Sequence, residues 1–556
     1  MKNIFKIICF SCLITIVLLS SGLFLEGSSY GANQAYPIYY EGNKLTETGH
    51  YEKNTPYIPV SVVEKYGDLK GLSVDYTKKR INIDLSKLNI MMADDATTNF
   101  VKTYAGTVYI PLKEIESKLY VPLNTMEQFL KLSYTVNSGS IKLYSYKGTE
   151  QIARINSDNV RIARTLQSNN RQAHFPTSKG EMVFIENETR NYYRVKSQDG
   201  VTGYVLKSDI TIYDIDLSKV DFYAPKKEKY IQGNEKINLV WQYVGTVTPE
   251  APSKKNGIDI ISPTWFDLIV GGGGSVENNG DKGFTDKVHD NGYMIWATIT
   301  NNMGTTGSTA YTSTVFKNSA LLNKSVAQFL FYSCLYDVDG ICIDYEQVAD
   351  DDADGLTAFT ALLRNFTERQ GLNLSICTLI PKPWTIEYDR PALAKYVDYI
   401  AVMTYDEHYS GSPVAGSVAS LPWVEEAVQA TLKEVPSNQV LLGVPMYTRV
   451  WVVDSSGKVV RNPSATMPYI ENFIKENNFT PTWLEKEKQH FISYPNGPYT
   501  DKIWIEDSRS VANRLKLVQD YNLAGSACWQ FSQASEDIWQ VFNGMLKQGR
   551  KLEDYE

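Results

Sequence analysis

Histidine and cysteine are scarce in this 556-residue chain, at five and six copies, and their scarcity removes whole classes of chemistry. Beyond the first twelve residues the cysteines are Cys334, Cys342, Cys377 and Cys528, too far apart to resemble a zinc site, so no metal is expected. Three of them fall in short apolar runs that read as buried strands, where a thiol behaves as a small hydrophobe, and no disulfide framework is expected either. A basic excess is also missing. With 55 Lys and Arg against 63 Asp and Glu the net charge is -8, and no arginine-rich stripe makes a local positive field, which argues against nucleic acid as a partner. No cofactor is expected. What is present is ordinary globular composition, 43% apolar and 21% charged, in a chain whose length allows about three or four domains. Tyrosine is abundant at 37 residues, which suits surfaces offering a flat apolar face beside a hydroxyl, as sugar-binding surfaces do.

The chain opens with Lys2 and Lys6, an apolar run from Ile7 to Leu25, and small residues around Gly27 to Ala32. Residues 1–32 read as an export signal with Ser29-Tyr30-Gly31-Ala32 as the cleavage region. The same run is long enough to span a bilayer, so an uncleaved membrane anchor is the alternative. Both put the rest of the chain outside the cytoplasm.

Residues 36–146 carry a weak internal repeat. Tyr57-Ile58-Pro59-Val60 opens a helix-like stretch followed by Leu72 to Tyr76 and the alternating Ile81 to Leu85; Tyr120-Val121-Pro122-Leu123 does the same ahead of Leu132 to Tyr134 and Ile141 to Tyr144. Each copy predicts a helix and a hairpin, since period-two alternation flanks Thr77-Lys78-Lys79 and Asn137-Ser138-Gly139. This region resembles the small repeat domain at the N-terminus of copper amine oxidases, which is also attached to many exported bacterial wall enzymes. The likeness implies no copper, because the only histidine here is His50. Residues 150–213 change to short alternating strands, among them Val160 to Ala163, Met182 to Ile185 and Tyr192 to Val195, which predicts a small β-barrel of about five strands. The run from Tyr193 to Val205 resembles a bacterial SH3-type module, either a contact for cell-wall peptides or a spacer.

From 236 to 548 the pattern becomes strand, loop, helix, repeated. Apolar strand candidates run over Ile237 to Trp241, Ile258 to Ser262, Tyr293 to Ile299, Gly340 to Glu346, Leu374 to Thr378, Tyr399 to Tyr405, Val440 to Val444 and Gly525 to Gln530. Near-continuous apolar strands alternating with helices indicate a covered parallel sheet, and eight such units indicate an α/β fold of the (β/α)8 TIM barrel type, where polar residues at strand C-termini are the default catalytic candidates.

In the fourth strand, Ile341 and Ile343 alternate with Cys342, Asp344 and Glu346, so the isoleucines should face the helices while the carboxylates face the barrel interior. Two neighbouring buried carboxylates raise each other's pKa, as a general acid working near neutrality needs. The bland alternative is an acidic strand end facing solvent or paired with an arginine. Asp339 to Glu346 resembles the Asp-Gly-x-Asp-x-Asp-x-Glu signature of glycoside hydrolase family 18, the chitinase family with its spore cortex-lytic and germination branch. The resemblance continues through Met403-Thr404-Tyr405-Asp406, Gly443-Val444-Pro445-Met446-Tyr447 and Trp529, in order along the C-terminal domain. Ser262 to Asp267, and Glu407-His408 with Gly411-Ser412-Pro413, look like the spore-wall branch.

That resemblance implies a mechanism in which the substrate's own 2-acetamido oxygen is the nucleophile, with retention at the anomeric carbon. It implies that Glu346 protonates the glycosidic oxygen and later activates water, that Asp344 orients the acetamido N–H, and that Tyr405 hydrogen-bonds the acetamido oxygen. Asp339, Asp406, Trp265, Tyr447 and Arg449 are implied as substrate contacts, and Trp529 as the floor under the sugar. Trp529 as barrel core, Tyr405 as a packed strand-end residue, and Tyr447 with Arg449 as an ion-pairing surface pair are the structural alternatives. Cys342 departs from the family pattern, standing where a middle aspartate is usual. Its neutrality is expected to leave Asp344 more readily ionised, and Cys342→Asp to change the pH profile. The implied substrate is an N-acetylglucosamine-containing polysaccharide, peptidoglycan or chitin, and the implied location is secreted, in cell wall or spore envelope, or membrane-anchored. A chitin or chito-oligosaccharide hydrolase and a silent sugar-binding barrel are the other readings; retention of Glu346, Asp344 and Tyr405 argues against silence.

Overall fold

Runs of consecutive apolar residues can be buried as strands only where both faces of the sheet are covered, and the C-terminal half of this chain is built that way. A computed structural model describes residues 34–137, 139–145, 151–166, 174–197, 200–212, 219–245 and 249–555; the expected export signal lies outside them. Eight parallel strands follow one another: β1 (Ile237–Gln242), β2 (Ile260–Leu268), β3 (Met294–Thr300), β4 (Gly340–Asp344), β5 (Asn373–Leu379), β6 (Tyr399–Met403), β7 (Val440–Pro445) and β8 (Gly525–Trp529). Each pairs with its successor, and β1 pairs with both β2 and β8, which closes the barrel. The pleat divides the side chains as the alternation requires. Cys342 lies with Leu239, Ile260, Trp296 and Ala527 in the inner core, while Ile341 and Ile343 lie in the layer under the helices.

Three departures from a plain eightfold repeat matter for the site. No helix separates β1 from β2 among the described residues, so that connection is a loop at the barrel mouth. The β7 connection carries an inserted unit over 447–505, a five-stranded sheet with one helix and its own small core of Ile470, Ile492, Ile503 and Ile505. The sequence pattern had not separated it. Finally, β2 runs to Leu268, so Ser262 to Asp267 belongs to the strand and does not follow it.

In the N-terminal unit, strand Thr55–Pro59 leads into helix Val60–Tyr66 and a hairpin of Leu72–Asp75 with Arg80–Asp84. Strand Lys118–Pro122 leads into helix Leu123–Leu130 and a hairpin of Leu132–Asn137 with Ser140–Ser145. The two leading strands pair antiparallel, Ile58 opposite Val121, so the copies meet through equivalent strands. Next comes a seven-stranded antiparallel sheet between Gln151 and Ile212, two strands more than the expected five and with no pairing among the described residues that closes it into a barrel, packed over Ala153, Ile162, Val183, Val195 and Val205.

The N-terminal unit is seated on the barrel's outer helices rather than tethered to it. Phe100 stacks on Phe366 with ring centroids 4.0 Å apart, the Gln328 amide donates to the Ala105 carbonyl at 2.7 Å, and the Asn278 amide donates to the Tyr109 carbonyl at 2.9 Å. Strand Ile90–Met91 also pairs in parallel with Phe222–Tyr223, just ahead of the barrel.

Candidate active site

Strand C-termini surround a cavity of about 520 Å³, and it collects the acidic residues of the barrel mouth. Asp344 closes β4 and Glu346 follows it, because β4 ends two residues earlier than its alternation suggested. Glu346 is therefore held by its backbone rather than by strand pairing. Its N–H donates to Asn301 Oδ1 at 3.1 Å, its carbonyl accepts from Asn301 Nδ2 at 2.7 Å, and the Tyr388 hydroxyl donates to the Tyr345 carbonyl at 2.9 Å. Gln347, with φ of 52°, then turns the chain away. Asn301 is fully buried and also donates to Thr312 Oγ1 at 3.2 Å, so its amide is a rigid clamp for the residue above it. Asn301→Ala is expected to lower kcat about 10- to 100-fold with little change in KM, because misplacing an acid by less than an ångström costs rate rather than binding. Steady-state kinetics with a thermal melt as fold control checks this; an unchanged kcat would remove the clamp.

Burial pushes the Glu346 carboxyl up to about 8, and the negative charges of Asp344 and Asp406 add to the shift. Asp344 is raised to about 6, chiefly by burial and further by Asp267, against a hydrogen bond from the Cys377 thiol that lowers it. The neutral Cys342 beneath it adds no charge, so the upward shift comes from enclosure and from Asp267. Removing one anionic neighbour does not offset enclosure in the barrel, and Asp267 supplies another carboxylate across the cavity. Asp344 Oδ1 is buried with no hydrogen-bond partner, a cost that a substrate N–H would relieve. Cys342 is fully buried, its sulfur 3.6 Å from Cys377, and all four cysteines among the described residues are free. Burial keeps the Cys377 thiol protonated.

Around these carboxyls, Tyr405 lines the cavity, and burial holds its hydroxyl well above the ordinary phenol range, so it stays a hydrogen-bond donor. Asp406, exposed at the rim with φ of 63°, accepts from the Tyr447 hydroxyl at 2.6 Å, and the Arg449 guanidinium stands 3.9 Å from the same oxygen. Tyr447 lines the cavity; Arg449 stands behind, also donating to the Asn462 carbonyl at 3.0 Å. Trp529 and Trp241 form an apolar wall, their rings 6.0 Å apart and inclined at 53°.

Besides Arg449, which stands behind the lining, two sequence candidates are away from the cavity altogether. Asp339 precedes β4 at the opposite end of the barrel, about 20 Å along the strand from Glu346 at the usual rise per residue. Its carboxylate accepts from the Ile295 N–H at 2.9 Å and pairs with His289 and Lys227, each at 2.8 Å. Burial alone would raise its pKa, but those partners outweigh it and hold the group low, so Asp339 ties strand starts together. Trp265 is fully buried outside the barrel, against Phe284 and Tyr336 at 5.8 Å each. The period of two counted from the inward Ile260 already turns Trp265 outward, and a shift of register between Thr264 and Phe266, a bulge, then breaks that period. Thr264 and Asp267 line the cavity while Trp265 and Phe266 are packed outside. Asp267, which accepts from the Thr300 hydroxyl, and the clamp Asn301 were the residues that sequence reasoning missed. A bulge leaves no reliable mark in composition, and a buried asparagine looks like any loop residue.

With the geometry in view, likeness to known proteins is informative. Residues 302–534 match the profile of Glycosyl hydrolases family 18. The Bacillus subtilis glycosylase YvbX is 28% identical over 243 residues, covering 41% of this chain and 67% of that protein. The cortical fragment-lytic enzyme of the same organism is 24% identical over 226 residues, covering 39% of this chain and 52% of that protein. The chain spans little more than half the length of several of these curated relatives. Among solved structures, the spore cortex-lytic enzyme SleL of Bacillus megaterium shares the fold, with a TM-score of 0.50 at 15% identity over 66% of this chain and 89% of that one.

Proposed function

We propose that this chain, whose barrel carries a glycosyl hydrolases family 18 domain, is an exported, retaining glycoside hydrolase that cuts β-1,4 bonds next to N-acetylglucosamine in peptidoglycan, including the spore cortex. The observation that carries the reading is a carboxyl raised to about 8, Glu346, sharing one cavity with Asp344, Tyr405 and Trp529. A carboxyl still protonated at neutral pH can give its proton to a glycosidic oxygen. Asp344 accepts the acetamido N–H, which turns the acetamido oxygen toward the anomeric carbon, and Tyr405 donates to that oxygen. As the C–O bond breaks, the oxygen closes onto C1, and the ionised Asp344 offsets the positive charge of the ring that forms. Glu346, now a carboxylate, takes a proton from water as it opens that ring. Trp529 supports the apolar face of the sugar, and Asp406, held by Tyr447 and Arg449, contacts the same sugar.

The relatives named for cortical fragments support peptidoglycan over chitin as substrate. The N-terminal resemblances support wall attachment through the copper-amine-oxidase-like repeat and the SH3-type unit, and residues 1–32 support export or anchoring. The test is to incubate the full-length protein with peptidoglycan, cortex fragments and chitin, identify new reducing ends by mass spectrometry, and follow the anomer first released by NMR. No release from any of the three would sink the reading; release of the inverted anomer would sink the mechanism.

The carboxyl shifts set a pH dependence. Glu346 must hold its proton, so activity falls as pH rises through about 8; Asp344 must be ionised, so activity falls as pH drops through about 6. A bell with these limbs is expected for kcat/KM, each limb belonging to the interacting pair. Cys342→Asp adds a carboxyl beneath Asp344 and is expected to move the acid limb upward, leaving an active enzyme; superimposable profiles would refute the coupling.

A further inference from the structure

The catalytic cavity shares a wall residue with a neighbouring cavity. A second cavity of about 360 Å³ lies at the junction of the N-terminal unit and the barrel, and Val244, in the helix-free connection after β1, lines both. A third of about 90 Å³ continues outward, joined to the second by Asp281. The three form a series, walled on one side by the N-terminal unit, where Thr55, Tyr57 and Pro111 stand, and on the other by the barrel at Asn279.

Lysines enter the lining along this series. Among the described residues, the catalytic cavity is lined by Asp267, Asp344, Glu346 and Asp406 and by no lysine or arginine. The outer two are lined by Lys53, Lys113, Lys282 and Lys287 against Asp281 and Glu250. Lys113 contacts Glu52 and lies 4.9 Å from the centre of the Tyr57 ring, Lys282 contacts Asp286, and Lys53 stands 4.0 Å from Glu250. The acidic partners are partly exposed, at 36%, 41% and 78%, and pairs of that kind are worth little and exchange readily for an arriving anion. Burial raises Asp281, the one carboxyl lining both outer cavities, and its Oδ1 is engaged in accepting from the Phe284 N–H at 3.0 Å.

We infer that the junction is a second binding site for the same polymer, taking a carboxylate-bearing substituent some distance from the bond cleaved at Glu346. Acidic groups at the reacting centre and lysines beyond it match a chain that is neutral at the scissile sugar and anionic further along. The carboxylate can belong to an acid group on a sugar or to a peptide branch. The inference rests on the glycan-cleaving reading above and assigns the N-terminal unit a share in substrate binding.

The test uses the full-length protein with Lys113→Gln, Lys282→Gln and Lys287→Gln combined, and with the same positions changed to Arg. Three substrates are compared: peptide-bearing peptidoglycan, the same glycan stripped of peptide, and a neutral N-acetylated chito-oligosaccharide. On peptide-bearing peptidoglycan the glutamine variant is expected to raise KM about 5- to 10-fold with kcat nearly unchanged. The arginine variant should restore KM, and the neutral oligosaccharide should show no change. Sensitivity lost on stripped glycan assigns the carboxylate to the peptide; sensitivity kept assigns it to the sugar. An unchanged KM, or an equal rise on all three substrates, overturns the inference while leaving the glycosidase reading intact. Should the unmodified protein cleave none of them, that reading falls, and co-sedimentation of the Glu346→Gln chain with peptidoglycan, with and without the lysines, still decides the junction.

Discussion

Glu346→Gln is expected to lower kcat about 10³-fold or more on any glycan the protein cleaves, because glutamine keeps the shape of the side chain and removes its proton. Binding should survive, since the Asn301 clamp grips the backbone of residue 346 and not its side chain. The same variant should be more stable than the unmodified protein at alkaline pH. A carboxyl whose folded-state pKa is raised, here from 4.5 to about 8, opposes folding once ionised: its penalty is absent below the unfolded value and complete above the folded one. Glutamine escapes it, so the difference in stability should grow between about pH 4.5 and 8 to about 2 kcal/mol, well short of the full shift because the cavity admits water. Urea melts at several pH values read this, and a difference independent of pH would mean that Glu346 is not raised in the folded protein. Activity equal to that of the unmodified chain would take Glu346 out of its role altogether.

Asp344→Asn is expected to lower kcat about 10²- to 10³-fold, with a smaller change in KM. The amide can still meet the acetamido group, but it offers no negative charge to the positive ring formed after bond cleavage. Loss of charge also removes one of the two anions that raise Glu346, the other being Asp406, so the alkaline limb of the pH profile should move down. That displacement separates an electrostatic role from a merely structural one, which would reduce the rate and leave the limb in place. A variant with full activity on polymer would mean that Asp344 does not stabilise the intermediate.

Both predictions begin from a stretch whose meaning was largely local. Side chains two apart on a strand share a face, so Ile341 and Ile343 against Cys342 and Asp344 could be assigned outward and inward from the sequence, and the packing follows that division. Tyr405, Asp406, Tyr447 and Trp529 follow short apolar runs, and a closed parallel barrel brings strand ends together wherever they stand in the chain. The limits of that logic appear at β2. Alternation from the inward Ile260 already puts Trp265 under the helices, and the bulge beside it turns Phe266 outward as well and brings the unsuspected Asp267 into the cavity. Asp339 failed for a different reason. Closeness in sequence to Glu346 says nothing about which end of a strand a residue occupies, and its partners Lys227 and His289 come from remote segments.

By itself the sequence determined the barrel, its order of strands and the carboxyls of Asp344, Glu346 and Asp406 at its mouth, because those depend on hydrophobic period and on position along each strand. Tertiary structure alone decided how strongly those carboxyls hold their protons, since burial is the sum of what many distant segments exclude. It alone decided the clamp from Asn301, and the seating of the N-terminal unit beside the barrel mouth. Contacts such as Phe100 on Phe366, or Gln328 on Ala105, join residues more than two hundred positions apart, and no local pattern encodes a distance of that kind.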